Sequence, residues 1–324
     1  MSQLETARAQ TATERGRGFL TVQLLVKYGN LFALLILVLI ASLLSEHFLT
    51  VDNIFNILRQ VSVLGIVSIG MTFVILNKGI DLSVGSVLAL AGVMAGKFHE
   101  RGFLVSLLIV LAIGAACGAV NGLFITKARM QPFIATLVMF IVARGAAMWV
   151  TEGKYIADVK TWGWIGSGSL GVVPISAILM FALFAVLTFV LNRTVWGRQV
   201  VAVGGNEEAA RLSGINVDGN KISVYVLTGL LVGVAALVNV GRIWSADPQA
   251  GYLLELDAIS AVLIGGTTFD GGSGSLGGTF VGILILQIMS NILNLLGISV
   301  YPQMIAKGVI IAAAVLISQI RRSK

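Results

Sequence analysis

Charge is scarce in this sequence. Only 11% of its 324 residues are charged, and 57% are hydrophobic. Ordinary soluble domains carry about 25% charged residues. The 22 basic and 15 acidic side chains cannot clothe a chain of this length in a polar shell. Cysteine is nearly missing as well. The single Cys117 cannot form an intramolecular disulfide; set in an apolar run, it reads as a buried, inert thiol and says nothing about redox compartment. The two histidines, His47 and His99, stand alone near expected helix ends. With no HExxH and no paired cysteines, no metal site is expected. These absences exclude a soluble globule, a disordered chain, a secreted disulfide scaffold and a fibrous repeat. What remains is an all-α integral membrane protein, as the mean hydropathy of +0.95 also requires.

A helix needs roughly 20 apolar residues to cross the hydrocarbon core. Eight spans are clear, at about 29–45, 54–76, 103–126, 133–150, 173–192, 222–240, 276–296 and 302–320. Two are short: 84–96, after a polar interruption, and 257–267, before a glycine cluster. The apolar run 31–44 has the length of a signal-peptide core. No small-x-small cleavage site follows it, so it reads as an uncleaved first span. Residues 1–18 read as a flexible cytoplasmic tail, and 19–324 as one transmembrane domain.

About ten spans with both termini in the cytoplasm put 14 basic residues inside, among them Lys78, Lys127, Arg129, Arg193, Arg198, Arg211 and Lys221. Five lie outside: Lys97, Arg101, Lys154, Lys160 and Arg242. The acidic residues divide about evenly. This is the bias of the positive-inside rule, and it accounts for the net charge of +7 without nucleic acid. Losing one short span would reverse everything after it.

Residues 74–86 and 262–275 share a layout: an apolar segment, a Gly/Asp/Ser-rich break, then a second apolar segment. Broken or re-entrant segments are therefore expected near 77–86 and 265–277. Paired broken helices mark transport pathways; chance in a chain with 38 glycines is the alternative. Gly114, Gly118 and Gly122 lie four apart, as do Gly274, Gly278 and Gly282, Gly229 and Gly233, and Gly92 and Gly96. In lipid this spacing lets helix backbones approach closely. The GxGxxG string at 272–277 joins two membrane helices, not a strand and a helix, so it is no nucleotide site.

Polar side chains inside spans are costly and mark function by default. Arg144 sits mid-span; Arg59 is placed to snorkel outward, and Lys307 is ambiguous. Asn121, Thr136, Gln287, Asn291 and Asn294 lie in apolar helices, the last three on one face. They read either as lining for a hydroxyl-rich solute or as hydrogen bonds between helices. The interior loop 193–221 holds Gly204, Gly205, Asn206, Glu207, Glu208, Ala209, Ala210, Arg211, Leu212, Ser213 and Gly214. Asn206 can cap a helix whose first turn carries Glu207 and Glu208, and Gly214 can end it. A short exposed helix there suits docking to a partner.

That loop, together with Gly79, Asp81, Leu82, Ser83, Gly85 and Ser86, Phe133–Leu137, Leu256–Ile259 and Asn294–Gly297, resembles the permease subunits of ATP-binding-cassette importers for monosaccharides. The branch is that of the ribose, xylose, arabinose and galactose systems, ribose most of all. The likeness runs from about residue 46 to 320. It implies a multi-pass subunit of the bacterial inner membrane with no catalysis and no cofactor of its own. ATP would sit on a separate ATPase subunit, for which 204–214 form the coupling helix. It also implies a second permease copy, a homodimer being expected, and a periplasmic sugar-binding protein. Outside carboxylates Glu46, Asp52, Glu152, Asp158, Asp247 and Glu255 could meet that protein. Asp81 and Asp270, after the breaks, would either sense ATPase closure or only cap helices. The pathway residues expected are Asn121, Thr136, Arg144, Gln287, Asn291 and Asn294. An ion-coupled sugar transporter, with Asp81, Arg144 or Lys307 carrying a proton, is the alternative. A membrane-embedded enzyme finds no catalytic cluster in the sequence.

Overall fold

The computed structural model describes residues 29–309 and 312; the tail 1–18 and the end of the 302–320 span lie outside them. The helices are α1 (Gly29–Leu44), α2 (Val51–Leu76), α3 (Val84–Lys97), α4 (Phe103–Thr126), α5 (Pro132–Thr151), α6 (Gly163–Gly166), α7 (Ile175–Arg193), α8 (Val195–Gly205), α9 (Glu207–Leu212), α10 (Val217–Ile243), α11 (Leu254–Ile264), α12 (Leu276–Leu295) and α13 (300–309 as described). A two-residue hairpin pairs β1 (Ser169–Leu170) with β2 (Val173–Pro174).

Short polar residues start these helices where the sequence offers them. Thr50, Thr194, Asn206, Asn216 and Ser275 each accept a backbone N–H from the first turn that follows, which satisfies a donor the helix itself cannot. Pro132 opens α5, where no N–H is needed. Among the described residues, α2, α4, α5, α7, α10 and α12 are long and apolar enough to cross a bilayer.

Two of the six form the centre. The most apolar stretches of α2 and α10 are 83% and 78% buried, against 22% in α4 and 28% in α5. The outer helices turn Leu104, Leu108, Phe133, Ile141 and Val142 outward, as helices facing lipid do. The four-residue glycine spacing holds the layers together. On α4, Gly114 meets Gly229 of α10, Gly118 meets Tyr225 and Gly122 meets Ile222, backbone against backbone. Gly278 and Gly282 of α12 meet Gly265 and Ala261 at the end of α11.

Two helices are short, and tertiary contacts set their depth. Val84 and Val87 of α3 share a small cavity with Gly229 and Val232, the middle of α10. Gly92 faces Val240, toward the end of α10 remote from α9. So α3 starts halfway across the bundle, and its 14 residues reach about 21 Å at 1.5 Å each. The 11-residue α11 starts at the same depth, because the backbone of Gly251, just before it, lies against Gly85. It runs the opposite way, to Gly265 beside Gly278 at the α9 end.

The two breaks expected at 77–86 and 265–277 converge at that α9 end. Gly272 donates its N–H to Leu76 O at 2.8 Å, and Gly204 packs on the same carbonyl. The partner of the first break in depth, however, is the loop 244–253, which dips in from the far end. Trp244 and Leu253 at its edges adopt left-handed φ of 54° and 61°, which no residue pattern announces.

Replacing Gly229 by Val should drive a methyl into the Gly114 backbone and lower stability by at least about 1–3 kcal/mol. Thermal unfolding in detergent reads this, with Gly145→Ala, which meets open space, expected to stay within about 0.5 kcal/mol.

Candidate translocation core and coupling segment

Leaving α2 at Asn77, the chain turns at Lys78 and crosses half the bundle as non-helical backbone before α3 begins. Unpaired backbone at such depth is tolerated only where protein groups satisfy it. Three helices supply them. Tyr225 Oη of α10 donates to Ile80 O at 3.1 Å, and Thr136 Oγ1 of α5 lies 3.4 Å from the same carbonyl. Asp81 Oδ1 accepts from Ser83 N at 2.9 Å and from Ser83 Oγ at 2.6 Å. Asn121 Nδ2 of α4 donates to Ser83 Oγ at 3.0 Å. Asp81 is buried and closes a turn onto Ser83, the residue just before the first turn of α3.

Arg144 reaches the opposite wall of the same region. Its Nη1 donates to Pro248 O at 2.7 Å and Ala250 O at 2.9 Å, satisfying carbonyls of the dipping loop. Glu255, in the first turn of α11, is only 6% exposed. Its carboxylate faces Gly85, so it is not among the outer carboxylates available to a soluble partner. Two half-helix N-termini thus meet at mid-depth, each with a buried carboxylate.

The structure gathers Asn121, Thr136 and Arg144 around this junction and leaves Gln287, Asn291 and Asn294 elsewhere. Asn291 and Asn53 exchange two hydrogen bonds at 2.8 and 3.0 Å. Gln287 donates to Gln60 at 2.7 Å, and Asn294 accepts from Gln303 at 2.7 Å. These amides join α12 to α2 and α13. Lys307 of α13 pairs with Asp257 of α11 at 2.8 Å, and Arg59 reaches out to Ser169 in the hairpin at 3.1 Å. Sequence reasoning missed Asn77, whose Nδ2 donates to Asn220 at 2.8 Å and ties α2 to α10. A polar residue closing an apolar span was its only signal.

In the coupling segment, Asn206 Oδ1 accepts from Ala209 N at 3.0 Å, α9 follows, and Gly214 ends it with φ of 81°. The helix is held by ion pairs. Glu207 binds Lys221 at 2.6 Å and Arg211 at 3.3 Å, and Asp218 binds Lys127 at 2.8 Å and Arg211 at 3.7 Å. Ala210 packs into a small apolar cluster with Val203 and Val217. Glu208 and Leu212 face outward, Leu212 at 84% exposure. Gly204 and Gly205, one step before α9, touch Leu76 and Gly272.

A bundle with six helices long and apolar enough to cross a bilayer among its described residues, and with discontinuous helices meeting at mid-depth, is built as a multi-pass membrane permease. Residues 53–317 match the family model of the branched-chain amino acid transport system / permease component. The ribose import permease protein of Escherichia coli (strain K12) is 48% identical over 95% of this chain and 98% of its own length. That of Bacillus subtilis (strain 168) is 44% identical over 90% and 92%. The D-allose transport system permease protein of Escherichia coli (strain K12) is 35% identical over 91% and 92%. No solved structure matches the chain. The chain belongs to this permease-component family.

The hydrogen bond from Lys221 to Glu207, helped by Arg211, holds the Glu207 carboxyl below its ordinary value of 4.5. A depressed folded-state value stabilises the docked α9 above that ordinary value, and the contribution is lost as pH falls through the depressed one. The protection of the 207–212 amides, measured as exchange relative to the unfolded-chain rate at each pH, should therefore be high at neutral pH and fall as pH drops below the ordinary carboxylate value. Glu207→Gln should exchange faster already at neutral pH and respond less to acid.

Proposed function

We propose that this chain is the membrane subunit of a bacterial ATP-binding-cassette importer that carries a neutral monosaccharide, ribose first, across the inner membrane. The 48% identity to a ribose import permease over nearly the full length carries the reading. In it, the chain crosses the membrane ten times with both termini in the cytoplasm. The α9 end is cytoplasmic, which agrees with the basic residues Lys127, Arg211 and Lys221 found there. A second copy of the chain completes the passage. A separate ATPase subunit hydrolyses ATP and docks on α9. A periplasmic binding protein delivers sugar to the far end, where Glu46, Asp52, Glu152 and Asp158 are exposed.

Geometry suggests how coupling would work. Gly204 and Gly205 press directly on Leu76 and Gly272, so a push on α9 reaches both breaks through backbone contacts with no intervening side chain to absorb it. From Leu76 the chain leads in seven residues to α3, and α11 ends beside Gly278. The α9 end thus touches the end of α11 and the unwound segment that leads to α3, and the mid-depth meeting point of the two half-helices is where a passage would open.

Purified alone in liposomes, the chain should move no ribose under a proton gradient; uptake should begin only when ATPase and binding protein are added with ATP. Ion-driven uptake by the lone chain would overturn the reading in favour of a secondary transporter. On α9, the exposed pair is the place to test docking, since Glu207 and Arg211 also hold the helix. Glu208→Lys with Leu212→Asp should cut ATPase co-purification and ATP-driven uptake roughly tenfold or more, about 1.4 kcal/mol of docking energy, and leave thermal stability unchanged.

A further inference from the structure

The loop 244–253 carries polar groups to a depth where lipid would not accept them. Gly251 lies against Gly85 at the start of α3, level with the middle of α10, so Gln249 and Tyr252 stand at mid-depth. Both are exposed, Tyr252 at 73%. Beside them the Arg144 guanidinium is fixed through Nη1 to Pro248 O and Ala250 O and is otherwise only half-buried.

A phenol, a primary amide and a guanidinium exposed halfway across a bilayer cannot face hydrocarbon cheaply. Tyrosines that serve as membrane anchors sit at the water boundaries instead. Apolar neighbours such as Ile141 on α5 mark where the lipid face begins. Glu255 and Asp247 lie close enough to Arg144 to act on its charge, so the guanidinium does not stand in the patch as a bare cation. Amide and guanidinium donors, an amide acceptor and an aromatic ring together match a solute with many hydroxyls and an apolar C–H face.

Resting on the reading of the chain as a sugar-import permease, we propose that Arg144, Gln249 and Tyr252 form a sugar-contact station in the water-filled passage at mid-depth. Tyr252 lays its ring against the sugar, while Gln249 and Arg144 hydrogen-bond its hydroxyls. Arg144 is held in place by the carbonyls of the loop that carries the other two, so the three groups keep a fixed spacing.

The test uses the complete importer in proteoliposomes, with Cys117→Ala as background. Tyr252→Cys, Gln249→Cys and, as a lipid-facing control, Ile141→Cys are treated with a membrane-impermeant methanethiosulfonate reagent. Labelling is compared with and without ribose-loaded binding protein and ATP. The two loop positions should label, Ile141→Cys should not, and turnover with ribose should slow labelling at the loop several-fold. Failure of both loop cysteines to label would overturn the proposal, as would labelling that ribose leaves unchanged. A disulfide between the two copies at 252 without aqueous labelling would put a protein interface there and overturn it too. In parallel, Tyr252→Ala should lower ribose uptake roughly tenfold with ATPase co-purification intact, and Tyr252→Phe should restore most of it; full uptake by Tyr252→Ala would count against the station. Ribose uptake by the Cys117→Ala complex separates the two readings. No uptake there refutes the importer assignment, whereas uptake with unlabelled loop cysteines refutes only the station.

Discussion

Backbone left bare inside hydrocarbon must find its partners within the protein, and this bundle is organised around two places where that demand falls. The chain crosses half the bundle unwound at 77–83, and it dips in from the other end at 244–253. Tyr225 and Thr136 at the Ile80 carbonyl and Asp81 at the Ser83 N–H meet the first demand, and Arg144 meets the second. Those side chains come from α5 and α10 and from the entrance to α3, so the positions of the surrounding helices follow from where bare carbonyls must be answered. The close glycine seam between α4 and α10 brings Asn121 near enough to reach Ser83.

The same construction links the ends of the molecule. α9 is a small element with little apolar surface of its own, and it depends on Glu207, Arg211, Lys221 and Asp218 for its position. Its neighbours Gly204 and Gly205 rest on backbone atoms of both breaks. Backbone contacts of this kind leave little room for either side to shift alone. At the far end, by contrast, Trp162 of the 151–172 segment is buried against Gly241 and Phe103, and Ile156 bridges Ala246. Those contacts hold that end of the dipping loop to the outer cover.

Much of this was legible in the residues because the rules involved are local. The helix start at Asn206 follows from a short amide ahead of two acidic residues in the first turn. The first break follows from Gly79, Asp81 and Ser83 interrupting apolar sequence, and the close seams follow from glycines four apart. Asn291 illustrates the limit. An amide on an apolar helix face announces that it needs a partner, and only the fold decides that the partner is Asn53, 238 positions away, and not a passing solute. Glu255 is similar: beside an outer loop in sequence, it is carried inward because that loop folds into the bundle.

Sequence by itself determined that the chain lives in lipid, how its apolar segments are spaced, where α9 begins and ends, and which family it belongs to. Each of these depends on composition or on residues within a turn or two of one another. Tertiary structure alone decided that α3 and α11 meet at mid-depth from opposite ends, and which polar groups surround that meeting. It also decided that both breaks share one contact with α8. Depth is a relation between distant segments, and in this bundle it is fixed by backbone meeting backbone at Gly85 with Gly251 and at Leu76 with Gly204 and Gly272.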